Sequence, residues 1–433
     1  MMRSVIILSA LFLFGCNPVK SVKEAFTNAS PYERYVRNLE SARLHERPMV
    51  KEWTAAGERA MRDSVRTMLP FTETGQFLSH IPEARAFRFE ARDGQVLTVN
   101  GVTTATDDTG IFADLFVMKS GQWKHVASAD SSLTLSYEFN RDALCLLRIQ
   151  PELLANAYYS ISLSLTPVLI NPVSGASNRA IQSFYGDPRD GGVRSHEGVD
   201  IFAKKGTPVV APTDGVVTRA GNNRLGGKVV WMYDKKRQHS YYFAHLDSQY
   251  VAGGESVRQG DTLGVVGNTG NARYTPPHLH FGIYQSRSKN PLHYIKTLEA
   301  IVDASPLDTT FRVSTFRTVG KKQVLKSGPG TKNNDIEILV DETFVRVVAQ
   351  SGEWYRVSLG DRREGYILKK NVAPATPGRL LKLERAVELR VDPDPESVII
   401  DYLNPETQVE VLAKYGAHRY IKTTQGVEGW IRA

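Results

Sequence analysis

Pro277-His278-Leu279-His280-Phe281-Gly282 is the stretch on which the reading of this chain turns. Residues two apart on a β-strand share a face, so His278 and His280 project to the same side. Two imidazoles on one face can supply one metal ligand and one neighbour for a bound water. Two other stretches supply matching groups. Ser195-His196-Glu197-Gly198-Val199-Asp200 sets His196 and Asp200 four apart with a glycine between them, and Tyr242-Phe243-Ala244-His245-Leu246 adds a further imidazole.

His196, Asp200 and His280 together offer two imidazoles and a carboxylate. A catalytic zinc site typically takes three protein ligands and leaves a fourth position for water. His245 and His278 are then left for neighbouring acid–base work, which suits a side chain whose ordinary pKa is about 6.5. Glu197, next to a candidate ligand, would point the other way on a strand. No Gly-x-Ser-x-Gly elbow and no His-Glu-x-x-His helix motif stands out, so neither a serine hydrolase nor that class of zinc protease is indicated.

The order His196-x-x-x-Asp200, then His245, then His278-x-His280 resembles the lysostaphin/LytM-type zinc metallopeptidases. The supporting segments are Phe184-Tyr185-Gly186, Gly206-Thr207-Pro208-Val209, Asp214-Gly215-Val216-Val217 and Gly264-Val265-Val266-Gly267-Asn268-Thr269-Gly270. The resemblance implies a β-rich domain binding one Zn2+ per chain through His196, Asp200 and His280. It implies that His245 and His278 are catalytic, with the acid and base roles unassigned between them. It implies a zinc-dependent endopeptidase acting on peptide cross-links of bacterial peptidoglycan, with wall stem peptides as substrate. The bond cut is not specified. The alternative reading is a non-catalytic, wall-binding or amidase-activating protein that uses the fold for docking.

Residues of about Gly75–Leu165 change to a period of two. Phe87, Phe89 and Ala91 alternate with charged residues, and Tyr159, Ile161, Leu163 and Leu165 alternate with Ser160, Ser162 and Ser164. Glycines punctuate the runs, which is the pattern of a β-sandwich. It resembles the sandwich appended to many secreted bacterial peptidases, acting as spacer or carbohydrate contact. Cys145, in an apolar run, reads as a buried small hydrophobe.

From about Phe311 onward the chain repeats itself with an offset of 64: Leu325 matches Leu389, Gly365 matches Gly429, Tyr366 matches Trp430 and Ile367 matches Ile431. Trp354-Tyr355-Arg356-Val357 is set against Arg419-Tyr420-Ile421-Lys422, so the second copy lacks the tryptophan. Copies of this length ending in Gly-aromatic-Ile resemble bacterial SH3-like domains, small β-barrels that commonly bind wall peptides. Ala373–Gly378 reads as a linker between them.

At the other end, Arg3 precedes the apolar run Val5–Phe14, which is too short to span a bilayer. With Gly15-Cys16 after it, the run resembles a bacterial lipoprotein signal and implies lipidation of Cys16. Asn17-Pro18 lacks the acidic second residue, which in a cell with two membranes favours the outer one. Residues 21–69 are helix-like, with Tyr32, Tyr35, Val36 and Leu39 at spacings of three and four and Ser30-Pro31 as a helix start.

The remaining composition is that of a globular protein of 433 residues, 41% hydrophobic and 23% charged. Collagen-like and wholly disordered chains are thereby excluded. A net charge of +8 is too mild to argue for nucleic acid and suits an acidic wall. Two cysteines cannot build a disulfide framework. The expectation is a mainly β, multidomain chain: signal peptide 1–15, tether and helices 16–70, sandwich 71–166, LytM-type peptidase domain 167–304, and SH3-like repeats 312–373 and 379–433. It is expected to be a monomer in the cell envelope, anchored to the membrane at Cys16, in the outer membrane or periplasm if the cell has two membranes.

Overall fold

The computed structural model describes residues 29–62, 65–105, 109–129, 133–297, 306, 308–309, 311–376 and 378–432. The apolar run Val5–Phe14, Cys16 and Pro377 lie outside the described residues. The fold is mainly β, in several sheets, with helices near its start.

Helix Pro31–Ser41 begins as its sequence dictates. The Ser30 hydroxyl accepts from the Glu33 N–H, the Glu33 carboxylate accepts from the Ser30 N–H, and Pro31 occupies the first turn. The next helix, Pro48–Arg62, buries Val50, Trp53, Ala56, Gly57 and Ala60 on one face. Trp53 donates its indole N–H to the Pro151 carbonyl at 2.8 Å, which fastens this helix to the adjoining sheet.

That sheet has the strand order Val65–Arg66, Arg85–Ala91, Ala143–Pro151, Ile111–Lys119, Gln122–Ser128. It faces the strands Phe71–Phe77, Ala157–Pro167, Gln95–Ala105 and Leu135–Glu138. Phe87, Phe89, Ala91, Tyr159, Ile161, Leu163 and Leu165 point into the shared core, as their alternation indicates. Cys145 is fully buried there, and burial pushes its thiol up to about 12.

The second of these sheets does not end with the sandwich. Strand Phe71–Phe77 pairs with Phe344–Ser351 through Thr74↔Gln350 and Gly75↔Ala349, so one sheet of eleven strands runs from the sandwich into the first repeat. Gly75 permits this contact, since a Cβ there would lie 2.8 Å from the Ala349 Cβ and 2.7 Å from the Tyr159 hydroxyl.

Beneath the junction lies a buried polar network. Glu73 accepts from Tyr159 at 2.6 Å, from Tyr366, and from Arg356 at 3.4 Å, while Arg356 also pairs with Glu364 at 2.7 Å. Arg85 donates to the Tyr159 hydroxyl at 2.9 Å. Glu73, Arg85, Tyr159, Arg356 and Tyr366 are all at most 1% exposed.

The second repeat forms its own six-stranded sheet, with a separate small core around Leu389, Leu403, Val409, Ile421 and Ile431. The strand registers correct one correspondence. Ser351 pairs with Trp354 in the first copy and Tyr415 with His418 in the second, so the offset stays at 64 throughout. His418, not Arg419, stands where the first copy has Trp354. Tyr420 and Trp430 then stand where Arg356 and Tyr366 do, and they pack on Phe344 of the first copy, with ring centroids 5.0 and 4.7 Å from it. Each repeat therefore uses the same face to dock on the module before it.

The segment that carries the strands from Ile181–Ser183 to Ser288–Lys289 is a ten-stranded sheet around a third core. It abuts the sandwich at Asp93, which accepts from Lys289 and Tyr294 at 2.7 Å each, and at Glu138, which pairs with Arg237 at 2.7 Å.

Removing one partner of a buried, hydrogen-bonded charge pair typically costs about 3–5 kcal/mol. Glu73→Ala should therefore lower unfolding free energy by about that amount, read from denaturant titration; a loss below about 1 kcal/mol would show the network to be dispensable. Cys145 should resist alkylation at pH 8 in the native protein and react on unfolding. Rapid labelling of the folded chain would contradict its burial.

Candidate metal centre

The cleft is assembled from strands whose other faces form the core. On Val199–Phe202 the core takes Val199 and Ile201, which leaves Asp200 and Phe202 on the cleft side. On His278–Tyr284 the core takes Leu279, Phe281 and Ile283, which leaves His278 and His280 on the cleft side. The two strands pair with Asp200 directly opposite His280. Gly198 makes room for the imidazole, because a Cβ there would lie 2.6 Å from His280 Cε1.

His245 reaches the cleft by a different device. Tyr241 and Phe243 face the core, and strict alternation would send His245 there too. Instead the register shifts between Val230↔Phe243 and Lys228↔Leu246, a bulge of one extra residue. His245 sits in it with φ of 64°, a left-handed conformation that histidine adopts more readily than most residues. The bulge turns the imidazole into the cleft and returns Leu246 to the core.

All five sequence-selected residues thus line one cleft of about 860 Å³. His196 Nε2 lies 3.0 Å from Asp200 Oδ1 and 2.9 Å from His280 Nδ1, and His280 Nδ1 lies 3.1 Å from Asp200 Oδ1. Among the described residues these three form the group able to hold a metal ion. The rings of His245 and His278 lie edge to face, 5.0 Å apart between centroids. Glu197 also lines the cleft, at its exposed rim, rather than pointing away; residues 196–198 are not in a strand, so alternation does not apply to them.

The hydrogen bonds assign the imidazole tautomers. A carbonyl oxygen only accepts, so an imidazole nitrogen beside one carries the proton. His196 Nδ1 donates to the Phe184 carbonyl at 2.8 Å, His245 Nδ1 to Thr269 at 2.9 Å and His278 Nδ1 to Pro276 at 2.9 Å. In each neutral ring Nε2 is left with its lone pair. For His196 that lone pair faces a carboxylate oxygen at 3.0 Å, an arrangement suited to a cation held between them. The donor set, two imidazole nitrogens and one carboxylate oxygen on a common locus, fits zinc.

Electrostatics agree with this. Burial alone would raise the Asp200 carboxyl; the neighbouring imidazoles of His196 and His280 outweigh it and hold the group well below the usual carboxylate range. Burial lowers His245 to about 4, reinforced by the charge of neighbouring His278. Burial also lowers His280.

Several groups in the cleft carry no signal in the linear sequence. Arg189 pairs with Asp200 Oδ2 at 3.0 Å and also contacts Ser183. Tyr242 lines the cleft and its hydroxyl accepts from Asn223 at 3.1 Å. The carbonyls of Phe184, Thr269 and Pro276 are backbone groups, so their role as imidazole partners is not written in side-chain identity.

A β-rich domain with a His/Asp/His centre is the class that this fold and cleft define. Residues 194–291 match the family profile described as Peptidase family M23. It is similar to an L-Ala–D-Glu endopeptidase of Bacillus subtilis, 37% identical over 126 residues, which are 27% of this chain and 38% of that protein. It is similar also to the peptidoglycan DD-endopeptidase ShyC of Vibrio cholerae, 38% identical over 105 residues, 24% of each chain. The chain thus spans well under half the length of these relatives. The solved catalytic domain of lysostaphin from Staphylococcus simulans is 32% identical over 26% of this chain and 87% of that one, with a TM-score of 0.24.

The low His245 pKa has a sign that can be tested. Its native value of about 4 lies below the ordinary 6.5, so the unfolded chain binds the proton more readily. The resulting stability is fully present above about 6.5 and is lost as pH falls toward about 4. Metal-free protein should therefore lose stability over that interval, and His245→Gln should flatten the dependence. Parallel curves for the two proteins would contradict the assignment.

Proposed function

We propose that the protein is a zinc-dependent endopeptidase that hydrolyses peptide cross-links of bacterial peptidoglycan. The observation that carries this reading is the convergence of His196 Nε2, Asp200 Oδ1 and His280 Nδ1 within 3.1 Å of one another, in one cleft with two further imidazoles. The Peptidase family M23 match over residues 194–291 and the two endopeptidase relatives support it.

In this reading His196, Asp200 and His280 would hold the metal. Bound there, zinc supplies Lewis-acid polarisation of the scissile carbonyl and acidification of a water. The residues of the chain do the rest. His245 and His278 have Nδ1 tied to backbone carbonyls, so each can take a proton only at Nε2. Burial keeps His245 neutral at neutral pH and therefore able to accept. A proton taken at Nε2 is returned to the departing amine, which needs no covalent enzyme intermediate. The backbone bonds hold both rings in place, so little reorganisation is required during the reaction.

The flanking segments are read in the same spirit. Cys16 is proposed as a lipid anchor that places the chain in the cell envelope, with the sandwich and the two SH3-like repeats as a mount and wall-facing surface. The edge-to-face packing of Tyr420 and Trp430 on Phe344, and the hydrogen bond from the Tyr366 hydroxyl to Glu73, leave wall contact to other faces of the repeats.

Metal content and turnover on purified sacculi separate the two groups of residues. Alanine at His196, Asp200 or His280 should remove zinc and activity together. Alanine at His245 or His278 should leave zinc in place and lower kcat by about 10²–10⁴-fold. A zinc-replete, active His280→Ala protein would refute the ligand set, and a zinc-free His278→Ala would mean that the two roles are exchanged.

A further inference from the structure

The two oxygens of Asp200 have different surroundings. Oδ1 faces the imidazoles of His196 and His280. Oδ2 faces the other way and accepts from Arg189 Nη2 at 3.0 Å. Arg189 is not an isolated surface charge. The same Nη2 donates to Ser183 Oγ, whose oxygen lies 3.3 Å from His196 Nδ1 and which donates to Asp187 Oδ2 at 3.4 Å. One guanidinium thus ties together the stretches that carry two of the three converging groups.

Its own position is fixed by the backbone. Pro188–Arg189 pairs with Arg194–Ser195 as a short hairpin, and His196 follows directly. Gly186 N–H donates to the His196 carbonyl and His196 N–H to the Asp187 carbonyl, both at 2.8 Å. Any displacement of Arg189 therefore also moves His196. Asp200 and Arg189 have side chains 12% and 31% exposed, so water competes little for Oδ2.

We propose that Arg189 is a positioning residue that restrains Asp200 to a single coordinating oxygen, Oδ1, and so keeps one position of the metal site open. The proposal rests on the reading of this cleft as a zinc site. With Oδ2 held by a charged donor, the carboxylate cannot turn to offer both oxygens. Without Arg189, Oδ2 is free to swing toward the metal and fill the position that the reaction needs. Partners that orient metal ligands typically matter by about 10–100-fold in affinity or activity. Arginine suits the task because the guanidinium plane fixes the directions of the two N–H bonds of Nη2, which serve Ser183 Oγ and Asp200 Oδ2, whereas a lysine ammonium on a flexible stem is not so fixed.

The experiment uses the full chain, loaded with zinc or with cobalt(II). Zinc affinity is measured by competition with a chromophoric chelator, and the visible cobalt bands report coordination number. Arg189→Ala should bind zinc no more weakly than the unaltered protein, because Oδ2 becomes available as a ligand, but should lower kcat by about 10–100-fold with less change in KM and give weaker cobalt bands, as a more highly coordinated ion does. Arg189→Lys should fall between Arg189→Ala and the unaltered protein in all three, and it decides the matter if Arg189→Ala does not fold. The metal-free Arg189→Ala protein should unfold at a lower midpoint, since the buried Asp200 loses a partner, and Arg189→Lys should recover part of that midpoint. Unaltered cobalt bands and kcat in Arg189→Ala would overturn the proposal and leave the zinc site standing. Losses of kcat that only follow the midpoints of Arg189→Ala and Arg189→Lys, with cobalt bands unaltered in both, would make Arg189 merely structural and also overturn it. Failure of the unaltered protein to take up zinc would instead remove the reading beneath it.

Discussion

The pairing of Asp200 with His280 across two neighbouring strands is the constraint on which the cleft depends. Side chains on a strand alternate between faces, so a slip of one residue would send Asp200 and both flanking histidines into the core and bring Leu279 and Ile201 out. Val199, Ile201, Leu279, Phe281 and Ile283 are all fully buried, and their apolar area holds the register. The same alternation that makes the core thus aligns the converging atoms. Chemistry and packing are set by one register and cannot drift apart.

What the core secures, the cleft strains. His196, Asp200, His245 and His278 are each less than 9% exposed, and an ionised group away from water is costly unless it is paired. The loops relieve part of that cost by giving each Nδ1–H a carbonyl partner at 2.8–2.9 Å. His245 adds a left-handed backbone at a bulge. Strain and desolvation of this kind persist where the surrounding structure over-determines them, and here ten paired strands do so.

Outside the cleft the modules form a continuous stack. The first repeat shares a sheet with the sandwich and a buried cluster around Glu73, and the second repeat lays Tyr420 and Trp430 on Phe344. Equivalent positions serve both junctions, with Arg356 and Tyr366 in one and Tyr420 and Trp430 in the other. A charged network suits the first junction because every member of it has a partner, while an aromatic cluster serves the second. The cleft-bearing domain meets this stack at Asp93 and Glu138, whose partners Lys289, Tyr294 and Arg237 lie on the far side of the boundary.

Much of this was legible in the linear chain. Period-two alternation at Phe87–Ala91 and Tyr159–Leu165 marked strands because a half-buried strand must alternate. The spacing of His196, Asp200, His245, His278 and His280 marked one site, since few folds bring five such residues together by chance. The 64-residue offset marked the repeat. Tertiary structure decided the rest, because it depends on contacts that sequence spacing does not encode. The bulge that turns His245 inward follows from register against Gly227–Asp234, and nothing in Tyr242–Leu246 announces it. The equivalence of His418 with Trp354 emerged only from strand pairing. The sheet shared by the sandwich and the first repeat joins residues some 275 apart, Gly75 and Ala349, and its only trace in sequence is a glycine. Arg189 reaches Asp200 across a hairpin, where the pairing of Pro188–Arg189 with Arg194–Ser195, not residue spacing, sets the distance.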